Sequence, residues 1–341
     1  TMDRDPYQAL LQKTFDRRIP FTAHCELTYR CNWSCVHCYL DPSDSRPELT
    51  VEQYDGIFKQ LAGAGCLFLT FTGGEVFLRQ DALDVFHCAQ QYGFAMRLLT
   101  NGSLITPQLA PRLAELHFLR IDFSVHGAHA ATHDRITRVP GSHDRALAAL
   151  RACREAGLPV ALKMILMKSN RDEFVPLRAL AAGLGAEFIF DYVLIPSRDG
   201  GPTMAQHGLS EEEIRAFLMQ HADASRLASG GGVDEGAPIC GAGSNALAIS
   251  PQGDVFPCLG YRDPVGNLLQ QSFQEIWASP RLDRLHKARY YDYTECRGCR
   301  HESYCIRCPG ITWSERGDAF RKSPLACMVS TAMDEACRRM K

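Results

Sequence analysis

The 341 residues carry 37 Lys and Arg against 39 Asp and Glu, a formal net charge of −2, and 45% are hydrophobic. Near-neutral charge speaks against a nucleic-acid groove or an anionic membrane surface as partner, and no run of about 18 apolar residues offers a membrane span. The start, Thr1-Met2-Asp3-Arg4-Asp5, lacks the basic and apolar regions of a secretory signal, so a cytoplasmic location is expected, and Thr1 ahead of Met2 reads as a remnant outside the natural start.

In chain order, residues 1–20 form an N-terminal extension, and residues 21–196 alternate strand and helix. The strands are expected at Ala23–Leu27, Cys66–Phe71, Ala95–Leu99, Leu119–Val125, Val160–Met167 and Glu187–Ile195. The helices between them are expected at Leu49–Leu61 with Thr50 as cap, Ala82–Tyr92, Pro107–Leu116, Asp144–Ala156 closed by Gly157, and Glu173–Ala182. Such alternation implies a parallel sheet with right-handed crossovers, either an incomplete (β/α)6 barrel or an open sheet, with chemistry at the C-terminal ends of the strands. Residues 197–239 read as a bridge with one acidic helix, Glu211–Gln220, and the loose stretches Gly200-Gly201 and Ser229–Gly232. Residues 240–341 break the alternation. They hold a hairpin over Asn245–Phe256, a short helix at Phe273–Ala278, a dense cysteine loop and a last helix from about Leu325. So small a region has little core of its own and is expected to fold around metal.

Fifteen cysteines suit either a disulfide scaffold or reduced metal ligands. The missing signal, the odd count and the clustering favour metal. Cys31, Cys35 and Cys38, spaced C-x3-C-x2-C directly after the first strand, can hold three irons of a [4Fe–4S] cube and leave the fourth free for a small molecule. A zinc site completed by His37 is the alternative, but zinc normally takes four converging ligands. In the C-terminal region Cys240 and Cys258 flank Gly253, and Cys296, Cys299, Cys305 and Cys308 are followed by Cys327. The four from 296 to 308 taken alone suit a zinc ribbon equally well. Cys25, Cys66, Cys88 and Cys153 sit in apolar company and read as core, while Cys337, ten residues beyond Cys327 on the last helix, has its role, ligand or not, left open.

These motifs resemble the radical S-adenosylmethionine (SAM) superfamily. Its cysteine loop is matched by Cys31-x3-Cys35-x2-Cys38, and its Gly-Gly-Glu segment by Gly73-Gly74-Glu75 at the end of the second strand, with Val76 where Pro is usual. Thr100 and Asn101 end the third strand and Ser124 the fourth, at positions that commonly line the SAM pocket; His126 stands where Asp is common. The C-terminal cysteines resemble the SPASM extension of that superfamily, except that two residues rather than three separate Cys305 from Cys308. The resemblance covers roughly residues 22–335 and implies a partial (β/α)6 barrel with a small C-terminal cysteine-rich iron–sulfur domain. It also implies a SAM-binding [4Fe–4S] cluster at Cys31, Cys35 and Cys38. Two auxiliary iron–sulfur clusters would follow, an outer one on Cys296, Cys299, Cys305 and Cys327 and an inner one on Cys240, Cys258 and Cys308.

The implied chemistry is reductive cleavage of SAM to a 5′-deoxyadenosyl radical that takes hydrogen from a C–H bond of the substrate, the cofactors carrying the difficult step. Gly73, Gly74, Glu75, Thr100, Asn101 and Ser124 would hold SAM, with Arg138, and Arg135 near it, placed for its carboxylate. Asp191 and Tyr192, at the end of the sixth strand, are the candidates for handling a proton or donating hydrogen, and Asp122, Lys163 and Arg198 are further polar residues near the pocket. The resemblance implies a peptide or protein substrate, modified by crosslinking, oxidation or epimerisation. A separate leader-peptide-binding protein and an electron donor such as flavodoxin or ferredoxin are the implied partners. Oxidation of a small molecule or porphyrin precursor is the second reading, and a non-catalytic zinc or iron–sulfur protein a third.

Overall fold

The computed structural model describes residues 6–41, 43–195, 203–221, 236 and 238–340. Arg198, Gly200-Gly201 and Ser229–Gly232 of the expected bridge lie outside them.

All six expected strands form: β1 Thr22–Glu26, β2 Phe68–Thr72, β3 Ala95–Thr100, β4 Arg120–Ser124, β5 Val160–Ile165 and β6 Glu187–Asp191. Each pairs in parallel with the next. Their alternation sends one set of side chains, among them Ala23 and Cys25, into the apolar layer under the crossover helices. The other set, including Thr72, Ser124 and Lys163, faces the concave side. Helix Val51–Gly63 shows how local sequence builds that layer. Thr50 accepts from the Gln53 backbone N–H while Gln53 accepts from the Thr50 N–H, a reciprocal cap that satisfies two otherwise unpaired donors. The helix then buries Tyr54, Ile57, Phe58 and Leu61, one face at helical spacing. The cysteines read as core, Cys25, Cys66, Cys88 and Cys153, are all buried, and so is Cys337.

Two features were not legible. A helix, Ala130–Thr137, precedes the expected crossover helix, which itself runs Ser142–Glu155; its polar sequence carries no strong apolar period. More consequentially, the expected hairpin does not stand apart. Its strands β7 Ala246–Ile249 and β8 Asp254–Phe256 are antiparallel, but β7 also pairs in parallel with β1, Thr22 opposite Ala246. With β9 Gly266–Asn267 the sheet reaches nine strands in the order β6-β5-β4-β3-β2-β1-β7-β8-β9. The sheet is not closed, so the barrel is partial, with β6 and β9 as its edges. One apolar core runs through both parts, from Phe71 and Leu98 to Leu247, Val255, Ile276 and Val329. Among the described residues no helix is long and apolar enough to cross a membrane.

A buried ion pair fastens the C-terminal segment to the end of β1. Arg262 donates to Glu26 at 2.6 Å and to the Tyr29 hydroxyl at 2.6 Å, and the Tyr39 hydroxyl donates to the other Glu26 oxygen at 3.1 Å. Glu26 is fully buried and the Arg262 side chain 7% exposed. Removing one partner of such a pair leaves a buried charge uncompensated, at a cost of about 3–5 kcal/mol. Arg262→Met is therefore expected to lower the denaturation midpoint strongly, and Arg262→Met combined with Glu26→Gln to recover part of the loss; equal effects of single and double changes in denaturant unfolding would refute the pairing.

Candidate functional site

The loop leaving β1 carries Cys31, Cys35 and Cys38 without regular secondary structure, and backbone hydrogen bonds to its neighbours hold it. The Gly74 N–H donates to Thr28 O at 2.7 Å and the Glu75 N–H to Arg30 O at 2.9 Å. Ser34 and Val36 donate to Thr137 and Ile136 carbonyls at the end of helix Ala130–Thr137, at 3.1 and 3.0 Å. Both glycines are required by contact. A Cβ on Gly73 would lie 2.3 Å from Thr28 O and one on Gly74 2.1 Å from Arg30 O, and Gly73 has φ +131°.

Above the strand ends lies a cavity of about 260 Å³. The three cysteines, Gly73 and Gly74 line it, as do Thr100, Asn101 and Ser124. Lys163 and Asp191 line the β5–β6 side and pair at 3.3 Å. Glu75 lies beneath. Its fully buried carboxylate accepts from the Thr100 hydroxyl at 2.8 Å, the Asn101 N–H at 2.9 Å and the Phe77 N–H at 3.2 Å. Glu75 thus ties the end of β2 to the end of β3, and burial pushes its carboxyl above the ordinary range. Asn101 in turn donates to Asn32 at 2.8 Å, inside the cysteine motif.

Other sequence candidates are placed elsewhere. Tyr192 does not line the cavity; its hydroxyl lies 3.8 Å from Met333 Sδ on the last helix. Asp122 is buried and held by Arg97 at 2.9 Å and Arg120 at 2.6 Å. Arg138 is exposed, in left-handed conformation, and lies near enough to Cys35 to favour its thiolate. Arg135 donates to Ser169 O at 3.2 Å. Sequence reasoning missed Asn32, the packing of His37 against His126 at 4.6 Å, and Leu259, which reaches the cavity from the C-terminal region. Asn32 lies within the motif, but nothing along the chain marks Leu259, whose place depends on the β7–β8 hairpin.

The ten cysteines fall into three sets. Burial, then Cys38 and Cys31, push Cys35 up to about 12. Burial likewise raises Cys240 to about 12 and Cys258 to about 11, with Cys258 and Cys308 adding to the first and Cys308 to the second. Cys296 is raised by burial and by Cys305, Cys327 and Cys299. Thiols raised in this way ionise more readily beside added positive charge, which bound metal provides. A [4Fe–4S] cube takes one thiolate per iron, so sets of three or four thiols have the donor chemistry that clusters need. Two buried polar atoms beside the first set, Trp33 Nε1 and His37 Nδ1, have no hydrogen-bond partner among the described residues.

An open parallel barrel with thiols grouped at its strand ends defines a cluster-binding enzyme scaffold. The family comparison is specific. Residues 25–181 match the radical SAM superfamily and residues 240–300 an iron–sulfur cluster-binding (SPASM) domain. The chain is 31% identical to the PqqA peptide cyclase of Streptomyces rochei, over 89% of this chain and 88% of the relative. It is 27% identical to the AdoMet-dependent heme synthase of Methanosarcina barkeri, over 88% and 94%. Its fold matches Streptococcus suis SuiB bound to precursor peptide SuiA with a TM-score of 0.73 at 15% identity, covering 95% of this chain and 82% of that one. The chain belongs to the radical SAM superfamily. It is an enzyme that binds SAM and a [4Fe–4S] cluster, with a further iron–sulfur-binding domain at its C-terminus.

Two outcomes follow from this geometry. Gly74→Ala forces the Arg30 carbonyl, and with it the cysteine loop, aside; the reconstituted variant is expected to lose the SAM-responsive cluster signal in electron paramagnetic resonance while keeping its remaining iron. Burial also holds His24 and His133 down at about 4. The unfolded chain then binds more protons than the folded one below about pH 6.5, so the stability from these neutral imidazoles is present above that value and lost as pH falls toward 4. The apoprotein's melting temperature is expected to drop between pH 7 and pH 5, and less so in His24→Gln; an identical drop would exclude His24 as a source.

Proposed function

We propose that this enzyme modifies a residue of a ribosomally made peptide or protein. The observation that carries this is what lines the cavity. Val193, Leu194 and Ile195 beyond β6 and Leu259 beyond β8 give it an apolar wall beside the Lys163–Asp191 pair. These segments follow strands on opposite sides of an unclosed sheet. Such a wall suits one side chain of an extended peptide. The peptide cyclase relative supports the same substrate class.

In this reading Cys31, Cys35 and Cys38 hold the SAM-binding cluster. Cys296, Cys299, Cys305 and Cys327 hold an outer auxiliary cluster with four thiolates, and Cys240, Cys258 and Cys308 an inner one with three. The cluster and SAM together supply one-electron cleavage of SAM and a radical able to take hydrogen from an unactivated C–H bond. The protein's part is position. Gly73 and Gly74 bring backbone close to the cysteine loop, Glu75 sets Thr100 and Asn101, and Ser124 completes the wall. Arg138, exposed beside Cys35, is the candidate for the SAM carboxylate. Asp191, paired with Lys163 at 3.3 Å at the cavity, is the group placed to accept a substrate proton; Tyr192, turned toward Met333, acts on Asp191's position at most. A separate leader-binding protein and a flavodoxin or ferredoxin as electron donor complete the proposal. Action on a porphyrin-type substrate is the second reading, supported by the heme synthase relative.

Anaerobic reconstitution should give about twelve irons per chain, three clusters of four, and 5′-deoxyadenosine on adding dithionite and SAM. Joint replacement of Cys31, Cys35 and Cys38 by Ala should abolish that product and remove about four irons. Mass spectrometry of candidate peptides and of porphyrins after turnover separates the two substrate readings. Bound zinc without iron, and no SAM cleavage, would sink both.

A further inference from the structure

Only Ile306 and Arg307 separate Cys305 from Cys308. Arg307 has φ +31°, a left-handed backbone that a non-glycine residue adopts only when its surroundings impose it. Its side chain is buried, the whole residue 5% exposed. Among the described residues its Nε–H has no hydrogen-bond partner. Its ion pair, to Glu302, is loose at 3.7 Å, and Glu302 is 35% exposed. The guanidinium lies over the Tyr290 ring at 4.4 Å. A strained backbone and an under-partnered buried cation both cost free energy, and among the described residues the anion paired with it is the loosely held, part-exposed Glu302.

Its neighbours are cysteines. Arg307 follows Cys305 by two residues and directly precedes Cys308. The Tyr293 hydroxyl approaches Arg307 O at 3.5 Å, and the Cys296 N–H donates to Tyr293 O at 2.8 Å. Glu302, the ion-pair partner of Arg307, donates its N–H to Cys299 O at 3.2 Å and accepts from the Cys305 N–H at 3.1 Å. Arg307 therefore stands among thiols that become anionic when a cluster binds.

We propose that Arg307 is the cation that sets the reduction potential of the auxiliary iron–sulfur centre on Cys296, Cys299, Cys305 and Cys327, its free Nε–H donating to a sulfur of that centre. The inference rests on the reading that these cysteines hold a cluster. Reduction adds negative charge to the centre, so a fixed buried cation and a donor to sulfur stabilise the reduced form more than the oxidised one and raise the potential. Glu302, the partial counter-ion, works in the opposite direction. A raised potential suits a centre that accepts an electron, whereas the SAM-cleaving cluster must give one up.

The test is a redox titration of the reconstituted full-length protein followed by electron paramagnetic resonance. Arg307→Gln should lower the midpoint potential of one auxiliary centre, and Glu302→Gln should raise the same one, each leaving the SAM-cleaving cluster unmoved. Arg307→Lys, which keeps charge without the planar fork, should fall between parent and Arg307→Gln. Unchanged potentials in both glutamine variants at parental iron and sulfide content overturn the proposal. Should Arg307→Gln fail to hold iron, Glu302→Gln decides alone: a rise supports the proposal, and no change or a fall overturns it. A parent chain without auxiliary iron would instead refute the underlying ligand reading, and the inference with it.

Discussion

The arrangement depends on how the chain is held as it leaves β1. Among its described residues the stretch from Leu27 to Thr50 has no helix or strand, yet it must hold three thiols at a strand end. A long irregular loop stays in place only if its backbone polar groups find partners. Here Gly74 and Glu75 donate to Thr28 and Arg30, and the Ile136 and Thr137 carbonyls take Val36 and Ser34. Further along, the Leu49 N–H donates to Pro251 O at 2.7 Å, in the turn between β7 and β8. The loop is thus pinned from three directions, and the glycines are the condition for the first of them.

The same economy of contact joins the two halves. β1 lies between β2 and β7, so the strand that feeds the cysteine loop also carries the C-terminal hairpin. Glu26, its last residue, is the meeting point of Tyr29 and Tyr39, which flank the cysteine motif, and Arg262, which follows Cys258 by four residues. A buried pair of this kind adds little net stability, but it fixes direction: the loop bearing Cys258 and Leu259 is oriented toward the cavity. Distance between the SAM site and the auxiliary region is therefore a property of one continuous sheet and one buried carboxylate.

Charge inside the site is divided in a consistent way. The imidazoles near the first cysteine set are buried and neutral, with His37 held down at about 4, so they add no cation beside it. In the C-terminal region, by contrast, Arg262 and Arg307 bring permanent charge to Cys258 and Cys296 respectively. The cation near the first set is Arg138, close to Cys35 but exposed, where solvent screens it, whereas the buried guanidinium groups of the C-terminal region are screened less.

Much of this was legible along the chain. Strands of five or six residues between capped amphipathic helices announce themselves by period, and the spacing of Cys31, Cys35 and Cys38 after such a strand names its chemistry because three thiols on one short loop need no tertiary structure to be neighbours. The buried placing of Cys25 and Cys153 followed equally from local apolar company. What the linear order left open was every relation between segments far apart: the pairing of β7 with β1, the arrival of Leu259 at the cavity, Tyr192 turned to Met333 while Asp191 faces Lys163, and the buried Arg307. Alternation along a strand says that neighbours face opposite sides, but which side is the cavity is decided by what packs against each face, and that is settled only when the whole sheet is assembled.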